Sequence, residues 1–298
     1  MLEQAQLPYP PQFSDEQIQK CRETGDFMPV LFEWYKFVGQ ICIFFAQIAR
    51  ESPAVKEISP IYYAILTGLL NRCARLMISN IALSHNGRFG ETTALLDRCI
   101  FESCIKVEWL CHKGIDDCFQ RYLASGLKTE IELESEIRGN IAEREDGAML
   151  NIEKRMLASI ERHINASGLN RKEILESKKL PDVSAMLRDL GHERLIYVVS
   201  QRIGSHHVHG TWPSLLLHYL EVDEEGCFSP RDHNCDTHPN QFIMISLQVL
   251  EAVKAFIIYT IETGEAKSII DLLDSIQEEI IDINTEIIGS DFKNVEEI

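Results

Sequence analysis

Apolar residues recur at three- and four-residue intervals from about Phe27 to Ala49 and again from Pro60 to Leu83. That spacing lines one face of an α-helix, and Ser52-Pro53 marks the break between the two runs. Upstream, Pro8-Tyr9-Pro10-Pro11 reads as an extended arm, followed by Ser14-Asp15-Glu16-Gln17. A hydroxyl with Gln three residues later predicts a capped helix start. Asn86-Gly87 and Gly90 close the helix over 60–83. The next segment, Glu91 to His112, has almost no polar face, which predicts a helix surrounded by others at the centre of a bundle.

From Leu127 to about Ile164 the chain turns charge-rich around a narrow apolar stripe (Leu127, Ile131, Ile137, Ile141, then Met149, Ile152, Met156, Ile160, Ile164), interrupted at Asp146-Gly147. This predicts a long amphipathic helical hairpin that packs on its own bundle or on a second copy. A short helix over 182–190 ending at Gly191 and another from Glu193 to about His209 follow. Leu215 to Val222, Asp223-Glu224-Glu225-Gly226 and Cys227-Phe228 form a candidate β-hairpin. Asp232 to Asn240 reads as loop, Gln241 to Thr263 as an apolar helix, and a last helix runs to about Ile283. The predicted fold is an all-α multi-helix bundle with a long charged hairpin and at most one small β-hairpin. It is a single domain over 1–298, in which 127–168 is a protruding or dimerising hairpin and 284–298 an acidic tail.

Composition narrows the setting. With 298 residues, 45% hydrophobic and 25% charged, the chain has the balance of a globular protein. The residues after Met1 lack the basic start and apolar run of a signal peptide, and no segment reaches the roughly 18 uninterrupted apolar residues of a membrane span. A cytoplasmic protein with no membrane partner is expected. The nine cysteines include no CxxC pair, and Cys99, Cys104, Cys111 and Cys118 crowd one region, the last three spaced seven apart as on one helix face. Buried thiols in a reducing compartment account for them. A net charge of −17 opposes broad nucleic-acid binding, so an RNA substrate would need a local basic cleft.

Three constellations carry candidate chemistry. Leu95, Arg98, Glu102, Ile105 and Trp109 share one face of the central helix, which embeds an Arg/Glu pair in an apolar stripe: either a structural ion pair or a polar site. Arg72 and Arg75 on the preceding helix add cationic character or lie on the surface. In Arg202-Ile203-Gly204-Ser205-His206-His207-Val208-His209, α-helical spacing sets Arg202, His206 and His209 on one face and turns His207 away. Seven of the ten histidines lie between His192 and His238. Imidazoles exchange protons near neutrality and Arg holds phosphate, a pairing suited to phosphodiester chemistry without metal, although a helix-terminal histidine is also an ordinary dipole partner. Cys227, His233, Cys235 and His238 are zinc-type ligands in an irregular spacing that matches no standard finger, with Glu221 as a candidate base beside them. Glycine-rich phosphate loops, GxSxG, HExxH and dinucleotide fingerprints do not occur in the sequence, which argues against the commonest nucleotide-dependent, hydrolase and metalloprotease classes.

Arg98-Cys99-Ile100-Phe101-Glu102, Tyr197-x2-Ser200 and His209-Gly210, within roughly Gly87 to Tyr219, resemble an uncharacterised family of helical bacterial proteins known only as a domain of unknown function. The resemblance implies that Arg98, Glu102, Ser200 and His209 belong together, and it carries no chemistry. The Arg202-to-His207 and Arg202-to-His209 intervals, four and six residues, are also similar to the signature of the HEPN superfamily, whereas His206 falls outside it and Ile203 departs from the polar residue usual after the Arg. That similarity implies a metal-independent RNase or RNase-derived toxin or antiphage defence protein, cofactor-free and assembled as a homodimer. His209 would be general base or acid, Arg202 would stabilise the phosphate, and Arg98 or Arg194 would line the basic cleft. A protein partner encoded nearby fits the same class. The alternative is a non-catalytic interaction or ligand-binding protein with Arg98, Glu102 and His209 in a buried polar network.

Overall fold

The fold is described from a computed structural model over residues 7–84 and 88–295, with side chains through residue 286. The Asn86-Gly87 turn and the last three residues lie outside the described residues. The chain divides into two compact units, one made of Met1–His112 with Val183–Ile298, the other of Lys113–Asp182.

In the larger unit, α1 (Asp15–Thr24) starts as its sequence predicts: Ser14 N donates to Gln17 Oε1 at 2.8 Å and Gln17 N to Ser14 Oγ at 3.3 Å. Helices α2 (Met28–Ala46) and α3 (Pro60–Leu83) each begin with Pro in the first turn, where its missing N–H costs nothing. Helix α4 (Gly90–Lys113) is enclosed on most of its circumference, with Ile100, Cys104, Ile105, Val107 and Leu110 fully buried. The bundle layer is completed by α12 (Pro239–Thr260), which packs on α2 and α3, and by α13 (Thr263–Val295), which packs on α12. Phe242 of α12 stands edge-on to Tyr35 and Phe32 of α2 at ring separations of 5.0 and 6.1 Å, and Tyr63 of α3 meets Phe256 at 5.8 Å. Helices α2 and α12 have the length and mean hydropathy of membrane spans, and each is more than half buried against its neighbours. Helix α13 runs twelve residues past the expected end at Ile283, through the segment read as an acidic tail.

Between α2, α3 and α4 lies a polar knot. Asn80 Nδ2 donates to Tyr35 Oη at 3.0 Å and to Asp97 Oδ1 at 2.5 Å, while Asp97 Oδ2 has no partner among the described residues. Burial pushes the Asp97 carboxyl well above the usual carboxylate range. A group whose folded value is raised stays protonated in the fold while the unfolded chain ionises, so stability falls as pH rises through and above the unfolded value. Asp97→Asn keeps the acceptor for Asn80 and cannot ionise. The variant is expected to gain on the order of 1 kcal/mol or more over the native chain at pH 8 and nothing at pH 3, read from urea unfolding at both pH values.

The smaller unit contains α5 (Asp116–Ala142), α6 (Asn151–Ser167) and α7 (Arg171–Glu176). The hairpin stripe is buried within this unit: Leu127, Ile137, Ile160 and Ile164 form its core with Ala124 and Ile174, and Ile131, Ile141 and Met156 pack against it. Helix α7 closes the stripe, whereas Met149 and Ile152 at the hairpin tip remain exposed. Glu134 at the edge of the core receives Arg138 at 2.7 Å and Arg171 at 3.0 Å, which hold its carboxyl below the usual range against the opposing effect of burial. The left-handed Gly114 (φ 59°) ends α4, so Cys104 and Cys111 lie on α4 and Cys118 on α5, not on a single helix face.

The chain then re-enters the larger unit through α8 (Val183–Asp189) and α9 (Arg194–Tyr197). A π-helical stretch (Val198–Ile203) leads directly into α10 (Gly204–His209). Helix α11 (Trp212–His218) follows, then a two-stranded antiparallel hairpin of β1 (Leu220–Val222) and β2 (Phe228–Pro230) with Glu221 opposite Ser229. The expected strand from Leu215 is helix as far as His218, because Pro213 fixes a helical first turn after Thr211.

Candidate functional site

One face of α4 carries Glu91, Leu95, Arg98 and Glu102, the i, i+4, i+7, i+11 series of a single stripe. The 198–219 segment packs on that face. Gly204 sits over Arg98 so closely that a Cβ there would meet Arg98 Cβ at 3.3 Å. Arg98 pairs with Glu102 at 3.4 Å, Glu102 accepts from Gln201 Nε2 at 2.6 Å, and Lys106 approaches Glu102 at 3.8 Å. Gln201 is buried, and both its Oε1 and Arg98 Nε are without partners among the described residues. The central Arg/Glu pair thus exists and faces the histidine segment, joined to it through Gln201.

At the N-terminal end of the same face, Glu91 gathers a second group. Ser214 Oγ donates to Glu91 Oε1 at 2.5 Å, Tyr219 Oη donates to Glu91 Oε2, and His207 Nδ1 lies 4.0 Å from Glu91 Oε1. The ring of His218 stands edge-on to His207 at 5.0 Å. His207 Nδ1 and both ring nitrogens of His218 are buried and unpartnered among the described residues. Burial lowers both imidazoles below their ordinary value, with each other's charge adding for His207 and Arg231 adding for His218. Both are therefore neutral at pH 7, each with a free lone pair. The bond to Glu91 raises the Tyr219 hydroxyl.

The residues selected by α-helical spacing lie elsewhere. Arg202 and His209 are exposed, and their side chains make no hydrogen bond or ion pair among the described residues. His206 is half-buried with Nδ1 2.7 Å from Thr211 Oγ1. The reason is the π-helical stretch, which takes more than four residues per turn and rotates everything after it relative to a 3.6-residue count. His207, turned away in the α-helical projection, faces Glu91. Ser200 is half-buried in the π-helical stretch and Arg194 opens α9. On α3, Arg72 donates to the Cys99 carbonyl at 2.9 Å and also reaches Ser103, while Arg75 is exposed. Glu91 carries a sequence signal, since it continues the Arg98 stripe two turns back. His218, Ser214, Tyr219 and Arg231 carry none, because the left-handed Gly210 (φ 54°) and the turn into α11 bring them there.

The zinc-type residues do not assemble. Cys235 Sγ donates to the Leu217 carbonyl at 3.1 Å, His238 Nδ1 caps α12 by accepting from Asn240 N at 3.2 Å, and Cys227 is exposed. His233 lies against Asp232 at 2.9 Å and Glu221 at 3.7 Å. Among the described residues only Glu221, Asp232 and His233 bring three ligand-type atoms within 4.8 Å, all of them exposed. Cys235, His233 and His238 each turn to a different partner, and Cys227 is exposed.

The loop before α12 does have a structural role at the site. Gly90 N donates to Cys235 O at 2.9 Å, and Thr237 Oγ1 lies 3.2 Å from Thr93 Oγ1 and donates to Arg88 O at 3.1 Å. A Cβ on Gly90 would stand 2.3 Å from the Asp236 carbonyl oxygen, so only glycine lets the loop lie on the start of α4 beside Glu91. Gly90→Ala is expected to cost about 1–3 kcal/mol in chemical denaturation through displacement of backbone. A change below about 0.5 kcal/mol would contradict this packing.

No curated protein and no solved structure matches this chain. A family model does match, over residues 63–227, which contain α4, the π-helical stretch, both histidines of the buried pair and Glu91. The chain belongs to DUF5677, a family of unknown function.

Proposed function

We propose that the protein is a metal-independent endoribonuclease whose acid–base pair is His207 and His218, held on α4 by Glu91. The observation that carries this reading is the edge-to-face imidazole pair, 5.0 Å apart, with three buried ring nitrogens free of partners. Unpartnered buried polar atoms are costly, and two imidazoles side by side, one neutral and one protonated, are the minimum equipment for moving a proton on and off a phosphodiester. His207 takes the proton from a ribose 2′-hydroxyl, and Glu91, 4.0 Å away, stabilises the imidazolium that forms. The 2′-oxygen attacks phosphorus, the bond to the 5′-oxygen breaks, and His218, entering the cycle in its protonated form, gives its proton to that leaving oxygen and returns to neutral imidazole. The products are a 2′,3′-cyclic phosphate and a 5′-hydroxyl. Arg231, which bears electrostatically on His218, offers positive charge to the phosphate, and Arg98 lies two turns along α4 from Glu91. Three of the four ring nitrogens are closed to solvent, so RNA entry requires the 204–219 segment to lift from α4, with Gly204 at its start and Gly210 within it.

This moves the chemistry expected of Arg202 and His209 onto different residues while keeping the reaction class. The same reading takes the protein as a cytoplasmic homodimer in toxin or antiphage defence; nine free cysteines are in keeping with a reducing compartment. Purified protein incubated with single-stranded RNA in EDTA should release fragments ending in cyclic phosphate. Intact RNA under those conditions, over protein concentrations that saturate the substrate, would overturn the reading. A second reading, a non-catalytic ligand-binding protein, is favoured by the Arg98–Glu102–Gln201 network, which is only partly exposed and leaves Arg98 Nε and Gln201 Oε1 without partners among the described residues. His209 takes no part in that network.

A further inference from the structure

A cleft of about 1060 Å³ opens between α1, the start of α2 and the loop before α12, away from the Glu91 group. Phe13, Met28, Val30 and Phe32 give it an apolar lining. Ser84, just past α3, also lines it. That side chain is 4% exposed, and its Oγ has no partner among the described residues. A hydroxyl closed to water without a hydrogen bond is costly, and a ligand's polar group that reaches it from the cleft relieves that cost. The charges at the rim are acidic on balance: Asp26, Glu33 and Asp236 against Lys20. Glu33 is already neutralised by Lys36 at 3.0 Å, and Asp26 Oδ1 accepts from Met28 N at 3.0 Å. The Asp236 carboxylate makes no hydrogen bond or ion pair among the described residues. An apolar lining with few polar groups is the ordinary make-up of a small-molecule site.

We propose that this cleft binds a small primary amine with an apolar body. The ammonium donates to Ser84 Oγ and Asp236 supplies the counter-charge, while the body lies against Phe13, Met28 and Phe32. The assignment is independent of RNA cleavage. Its test is calorimetric titration of the full chain with three probes that share a body and differ in the head group: phenethylamine, 2-phenylethanol and 3-phenylpropionate. Phenethylamine should bind at least about tenfold more tightly than 3-phenylpropionate, with the alcohol between them. Asp236→Asn, an exposed change whose folding is checked by circular dichroism, should weaken the amine about tenfold and leave the alcohol unchanged. Ser84→Ala should weaken both of these probes. Absence of phenethylamine binding, equal binding of the three probes, tightest binding of the acid, or an Asp236→Asn variant that binds the amine as the native chain does would each overturn the proposal.

Discussion

Replacing His218 with alanine is expected to lower RNA cleavage by about 10²–10⁴-fold, the range in which a positioned general acid contributes. His218 makes no hydrogen bond that the fold depends on, since both its ring nitrogens are unpartnered among the described residues. The variant should therefore melt within about 1 kcal/mol of the native chain while losing activity, which separates a catalytic loss from an unfolding loss. The pH profile gives a second handle. Burial places both imidazoles below their ordinary value of 6.5. A reaction needing one neutral and one protonated member is then fastest below pH 6.5 and slows as pH rises through 7, because the protonated partner is lost. An optimum well above pH 7 would place the proton transfers on other groups.

The largest stability effect is expected at Trp109. Its ring is 2% exposed in the C-terminal half of α4, and its indole N–H donates to Asp189 Oδ2 at 3.0 Å, tying α8 to the central helix. Trp109→Ala is expected to cost about 3–5 kcal/mol, the lost transfer energy plus the cavity left behind. That is a large share of the roughly 5–15 kcal/mol by which a domain is stable. Trp109→Phe keeps an aromatic ring in the core and loses the hydrogen bond with a smaller part of the buried area, for about 1–2 kcal/mol. Urea midpoints followed by circular dichroism give both values, and near-equal costs for the two variants would show that packing at this position had been misjudged. The same turn of α4 should respond as well, since the adjacent buried Glu108 accepts from Gln248 Nε2 at 2.6 Å and faces His192 at 3.7 Å.

The helices were legible in the sequence where their signals were local. Ser14-x2-Gln17 capped a helix, Pro60 to Leu83 bounded one to the residue, and the apolar circumference of 91–112 marked the enclosed helix. The stripe of the 127–164 hairpin identified its buried face, although only the structure gives α7 as the element that closes it. The candidate site was half legible. Arg98 and Glu102 were found because an α-helical face needs nothing but a count. His207 was missed because the count fails across a π-helical stretch, and no composition or spacing announces one at Val198–Ile203. His218 was missed for a different reason: its approach to His207 depends on a left-handed glycine at 210 and a proline-started helix, so the two rings meet through a turn and not along a helix. Zinc-type residues close in sequence have different partners: the Leu217 carbonyl for Cys235, the Asn240 amide for His238 and the carboxylates of Asp232 and Glu221 for His233, while Cys227 is exposed.

We propose that the chemistry resides in the buried pair under α4 and not on the exposed face of α10. Single-turnover cleavage of one RNA in EDTA by two double variants tests it most directly. His207→Ala with His218→Ala should abolish cleavage, whereas Arg202→Ala with His209→Ala should retain it within about threefold, both proteins being folded. Retained cleavage in the first variant together with loss in the second would contradict the account.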